Sequence, residues 1–111
     1  MPSPAKRKSP SNEELAQAAL ALVDRDGMDA LSFRRLSDET GVPTMTIVNR
    51  FGSKDALLKS ALGVMLSENA VEPVPGESWQ DSLRRVARLN RQMALRHPRG
   101  FMLFVLVPMF E

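Results

Sequence analysis

At 111 residues and 12.3 kDa, the chain is one modest domain, or a small domain with part of a second. It has no cysteine, which excludes disulfides, thiolate zinc sites and cysteine nucleophiles, and its one histidine, His97, leaves no histidine-rich metal site. The net charge of +2 is a weak pointer to nucleic acid, but its distribution is uneven, at +3 over residues 1–12, −2 over 13–63 and +1 over 64–111, so a surface for a polyanion must be a local patch on a mixed scaffold.

The opening residues lead into no apolar run of signal-peptide type. The longest apolar stretch, Phe101 to Phe110, is ten residues, too short to span a bilayer. A cytoplasmic location without a membrane partner is the expectation. Residues 1–11 carry Lys6, Arg7 and Lys8 among three prolines and read as a disordered basic arm, either a solvated tail or one that adds phosphate contacts in a DNA groove.

Ser11 and Glu14 form a capping box that marks the first helix start. Leu15, Ala18, Ala19, Leu22 and Val23 recur at helical spacing and should be buried. Gly27 ends the helix, with Asp24, Arg25 and Asp26 on the open side. Ser32 is a good N-cap for a short second helix in which Phe33, Leu36 and Ser37 face inward. That helix stops at Gly41, where a left-handed residue is expected. Arg35 can pair with Asp38 or Glu39 along it.

Val42 should plug the turn, and Pro43 can open a third helix over residues 43–50, with Thr44 as the rival cap. Ile47 and Phe51 should pack inward, leaving Met45, Thr46, Asn49 and Arg50 on other faces. The β-branched Thr44, Thr46, Ile47 and Val48 make this a poor isolated helix, so packing must hold it. A packed helix that exposes small polar side chains suits insertion into a DNA groove.

Ser53 caps a fourth helix from Lys54, whose apolar stripe is Leu57, Leu58, Ala61, Leu62, Met65 and Leu66. Residues 72–76 are a linker. Ser78 and Asp81 resemble another capping box, and a fifth helix should bury Trp79, Leu83, Val86, Asn90 and Met93. It breaks at His97-Pro98, a helix-end pair. The following FMLFVLV is a strand or a helix fragment by pattern alone, and something should cover it. No paired carboxylates, nucleophile–base set or metal cluster points to an enzyme, and no cofactor is expected.

Residues 15–62 resemble the DNA-binding domain of the tetracycline-repressor (TetR) family of bacterial transcriptional regulators. The resemblance runs through Gly27, Leu31-Ser32-Phe33-Arg34-Arg35-Leu36, Gly41-Val42, Thr46-Ile47, Phe51 and Ser53-Lys54-Asp55-Ala56-Leu57-Leu58. It implies an all-α fold: a three-helix helix-turn-helix domain over 12–58, then the first helices of a truncated regulatory and dimerisation region over 59–111. It further implies a non-enzymatic regulator, usually a repressor, that binds a palindromic operator in double-stranded DNA as a homodimer and answers to a small-molecule effector. By the same resemblance Arg34 reaches a phosphate or base edge, Thr44, Met45, Thr46 and Asn49 read the groove, and Lys54 clamps a phosphate.

The chain departs from the family at three points and in length. Val48 stands where a phosphate-contacting Tyr is usual, Arg50 where His is frequent, and Pro43 where Ser or Thr commonly caps. Arg50 can restore an ionic contact. Only about fifty residues follow the DNA-binding part, so the dimer-forming helices of the family are expected to be missing. The rival reading is a helical interaction module that pairs with a full-length relative through Met93, Phe101, Leu103 and Phe104.

Overall fold

The computed structural model describes residues 10–68 and 72–107; of the basic arm expected over 1–11, residues 1–9 lie outside them. Ser11 begins the first helix, α1 (Asn12–Asp26). Its hydroxyl accepts the Glu14 backbone N–H at 3.1 Å, and the Glu14 carboxylate accepts the Ser11 N–H at 3.0 Å. Two donors orphaned at a helix start are thereby satisfied. Ser11→Ala should therefore lower the unfolding free energy by about 1 kcal/mol, measured by denaturant unfolding.

Gly27 ends α1 at φ 95°, a region that a side chain disfavours. A single 3-10 turn, Met28–Ala30, leads to α2 (Phe33–Thr40), whose N-cap Ser32 accepts the Arg35 N–H at 3.0 Å. Gly41 then takes the left-handed conformation, φ 74°, and turns the chain into α3 (Thr44–Phe51). The remaining helices are α4 (Lys54–Glu68), α5 (Trp79–Arg96) and α6 (Phe101–Leu106). No strand occurs among the described residues, and the architecture is all-α with a helix-turn-helix.

The core is built around α1, which packs most extensively on α4 and also on α2; α2 packs on α3, and α4 also receives α3 and α6. Leu15, Leu22, Leu31, Leu36, Ile47, Leu57, Met65, Met93 and Leu103 are its largest fully buried side chains. Being central, α1 buries Ala16 and Leu20 in addition to the expected stripe, whereas Ala18 is only half-buried. Full burial of an aliphatic side chain contributes about 1.5–3 kcal/mol, so these contacts, rather than helix propensity, hold the short α2 and α3.

Several expectations are corrected. Pro43 is the N-cap rather than the first residue of α3; it supplies no side-chain cap, and its carbonyl accepts from Thr46 and Ile47 at 3.0 and 3.2 Å. Leu66 is 40% exposed, because α1 and α6 cover only the Leu58–Met65 side of α4. Trp79 and Leu83 are also exposed, at 72% and 61%, and within α5 only Met93 is buried. This helix joins the core through its C-terminal end, so the apolar spacing of its first half marks a face without a partner among the described residues.

The C-terminal stretch is a helix, not a strand. Leu103 and Val107 are buried against the core, while Met102, Phe104 and Val105 remain exposed. The adhesive set Met93, Phe101, Leu103 and Phe104 is therefore split, since Met93 and Leu103 are core residues and Phe101 is half-buried. The linker turns at Pro75-Gly76, and beyond it Arg85 grips Glu77 through two hydrogen bonds at 2.9 and 3.1 Å. Those bonds, then one from Ser82, hold the Glu77 carboxyl down at about 2 against the opposing effect of desolvation. The Glu77 clasp thus adds stability above the ordinary glutamate range and loses it as pH falls toward about 2.

Candidate nucleic-acid interface

The turn between α2 and α3 is braced by side chains. Thr40 Oγ1 donates to the Leu36 carbonyl at 2.8 Å and accepts the Val42 N–H at 3.2 Å, while Ser37 Oγ donates to the Val42 carbonyl at 2.7 Å. Val42 is buried at the bend, as expected. These bonds satisfy backbone groups that a sharp turn would otherwise leave unpaired, and they fix the angle at which α3 leaves α2.

Ile47 is fully buried and Phe51 half-buried, which sets the rotation of α3. Helical periodicity then puts Met45 and Asn49 on the opposite side, flanked by Thr46 and Val48. Met45 is 65% exposed and Asn49 is exposed; Thr44, Thr46 and Val48 are half-buried. The outer face of α3 thus offers a thioether, an amide and a hydroxyl. These groups can make apolar contact and exchange hydrogen bonds with base edges.

Arg34 is the second residue of α2 and Lys54 the first of α4, and both are exposed. Neither makes a hydrogen bond or ion pair among the described residues. A cation at a helix start is opposed by the helix dipole, so each is best satisfied by an anion. At the α4 start, Ser53 Oγ takes the Ala56 N–H at 3.1 Å, which leaves the Lys54 and Asp55 N–H groups open for the same anion.

Arg50 stands apart from the other expected site residues. Its guanidinium donates to the Pro10 carbonyl at the entry to α1, along a groove shared with Asn12, Glu13, Phe51 and Ser60. Arg35 is also committed, though not along its own helix: it binds Asp26 at 2.7 Å, and Arg25 binds both Asp26 and Glu39. The Asp26 and Glu39 carboxyls are held below the usual carboxylate range, in each case first by the hydrogen bond from Arg25. The end of α1 is thereby tied to α2, a brace that sequence spacing could not reveal because its partners lie 9 and 14 residues apart.

The structure also places Asp24 away from the open side expected for it. It accepts from His97 and from the Gly100 N–H, so the α5–α6 turn is fastened to the end of α1. Among the described residues no group of three or more His, Asp or Glu could hold a metal ion, and no helix is long and apolar enough to cross a membrane.

Comparison with known proteins agrees with this geometry. Residues 15–61 match the family described as bacterial regulatory proteins, tetR family. The chain is 33% identical over 92 residues to the class D tetracycline repressor protein of Escherichia coli, covering 81% of the chain and 42% of that protein. It is 35% identical over 86 residues to the class A tetracycline repressor protein from transposon 1721, also of Escherichia coli, covering 76% and 40%. An HTH-type transcriptional regulator of Saccharopolyspora erythraea is 30% identical over 88 residues, covering 79% and 37%. The chain spans about two fifths of the length of these curated relatives.

Proposed function

Because residues 15–61 belong to the tetR family of bacterial regulatory proteins, we propose that this chain is a sequence-specific DNA-binding transcriptional regulator, acting as a repressor on a palindromic operator. The single observation that carries the reading is the outer face of α3. Met45 and Asn49 face away from a core that fixes the helix, with Thr46 on their flank, and the cations Arg34 and Lys54, unpaired among the described residues, stand at the starts of α2 and α4. In this reading Thr44, Met45, Thr46 and Asn49 contact base edges or the adjoining backbone in the major groove. Arg34 and Lys54 bind phosphates, with helix N-terminal N–H groups adding to the Lys54 contact.

Arg50 acts differently. Its bond to the Pro10 carbonyl ties the chain just before α1 to α3, and in this reading Lys6, Arg7 and Lys8, which precede Pro10 in sequence, add phosphate contacts. Removing residues 1–9 should weaken duplex binding at every sequence and reduce the dependence of log K on log salt by up to about three, read from a salt titration.

One α3 helix sees only a few base pairs, so useful specificity calls for two half-sites and a homodimer. The exposed apolar side chains Trp79 and Leu83 on α5, with Met102, Phe104 and Val105 on α6, supply surface for such an association. They equally favour a second reading, in which the chain pairs with a longer relative. A small-molecule effector enters the proposal only through the family. Selection from random duplex DNA with the purified chain, run beside light scattering for its mass, tests the proposal. An enriched palindrome bound by a dimer supports it, and no enriched sequence contradicts it.

A further inference from the structure

One part-buried polar cluster, around a buried histidine, lies apart from the outer face of α3. His97 ends α5 and is 7% exposed. Its Nδ1 lies 2.5 Å from Asp24 Oδ2, near the end of α1, and its Nε2 lies 2.6 Å from Glu68 Oε2, at the end of α4. An ionised carboxylate only accepts hydrogen bonds, so a ring held between two of them needs both nitrogens protonated. The cluster is built around the imidazolium form.

The surroundings reinforce this. Asp24 Oδ1 accepts the Gly100 N–H at 3.1 Å, and Arg99 donates to the Arg25 carbonyl. A Cβ at position 100 would lie 2.3 Å from Asp24 Oδ1, so glycine is what lets the turn approach this closely. The clasp also adjoins the brace on α2, since Arg25 and Asp26 directly follow Asp24 and bind Glu39 and Arg35.

We propose that His97 is a proton-operated latch that couples the α5–α6 turn to α1 and α4 and, through Arg25 and Asp26, to the DNA-facing α2. The coupling to DNA rests on the function proposed above; the latch itself does not. The charged groups that contact the ring are Asp24 from α1 and Glu68 from α4; beyond them, Arg96 of α5 lies 3.8 Å from Glu68 and Arg99 of the turn bonds the Arg25 carbonyl. Glu13 of α1 lines the same groove, and α6 contributes no titratable group.

Burial alone pushes the imidazole pKa down, but the hydrogen bonds to Glu68 and Asp24, with their charges, more than reverse this and raise it above the ordinary value. A raised folded pKa means that the clasp is at full strength below the unfolded histidine value of about 6.5 and is lost as pH rises through the folded value. The latch is closed at low pH and opens as pH rises.

The test uses the full chain and its only histidine. The ring Cε1 proton is followed by NMR from about pH 5 to about 9, with amide exchange at Leu103 and Val107 measured alongside and corrected for its intrinsic pH dependence. The expected results are a midpoint above about 6.5, and a loss of α6 protection on the order of tenfold over the same interval. In Glu68→Gln the midpoint should fall by roughly one unit. Gly100→Ala, which crowds Asp24 without altering a titrating group, should lower it as well. A midpoint at or below about 6.5 would overturn the proposal, as would constant α6 protection while His97 loses its proton. Because no DNA is present, the latch and the DNA-binding function can fail separately.

Discussion

Ile47→Ala is expected to lower the unfolding free energy by about 3 kcal/mol and to abolish DNA binding. Half of the residues of α3 are β-branched, namely Thr44, Thr46, Ile47 and Val48, and its N-cap Pro43 offers no side-chain acceptor. Eight residues are also too few to form a helix in isolation. What holds α3 is therefore tertiary: Ile47, fully buried, with Phe51 beside it and the braced turn before it. Removing three carbons from Ile47 leaves a cavity under the helix, and a loss of about 3 kcal/mol is a large share of the 5–15 typical of a domain. Ile47→Val should cost only about 1 kcal/mol. Denaturant unfolding of the two variants distinguishes this account from one in which α3 stands on its own. In that alternative the Ala variant would behave like a surface substitution, within about 0.5 kcal/mol of the parent.

The second large effect belongs to the cations. Arg34→Ala and Lys54→Ala should each weaken duplex binding on the order of tenfold, because a charge-assisted contact to phosphate contributes about 1.5–3 kcal/mol. They lie at the starts of different helices, α2 and α4, with no shared partner, so the double variant should approach a hundredfold loss. Each should also reduce the salt slope by about 0.9. Neither side chain has a partner among the described residues, so thermal unfolding should be unchanged within about 0.5 kcal/mol. Unchanged affinity in the double variant would remove both residues from the interface. Arg35→Ala separates the two kinds of arginine: it loosens the brace to Asp26 and should act on stability as well as on DNA.

Much of the helix-turn-helix half was legible from local chemistry. Ser11 with Glu14, Ser32, Gly41 and Ser53 announce helix ends through bonds made within a few residues, and each behaves as its residue type requires. The position of α3 was displaced by one residue at both ends, because Pro43 suits either the cap or the first helical position. Elsewhere the information is non-local. Periodicity on α5 identified an apolar face, but no periodicity tells whether a neighbour reaches it, and Trp79 and Leu83 are left exposed. His97 before a proline reads as a helix end, which it is. Its carboxylate partners lie 73 and 29 residues away, and nothing in the intervening chain signals that they meet. The same holds for the tie from Arg25 to Glu39, where the sequence offered Arg35 a nearer partner on its own helix.

If the outer face of α3 reads sequence, Asn49→Ala must change discrimination base by base. Binding of the parent and the variant would be measured across all single-base changes of the site recovered by selection. The expected result is that the variant loses about 1–3 kcal/mol of preference at one base pair in each half-site, keeps its preferences elsewhere and retains the parent's salt slope. A uniform weakening across all sequences, or an unaltered preference at every position, would contradict the assignment of α3 as the reading helix.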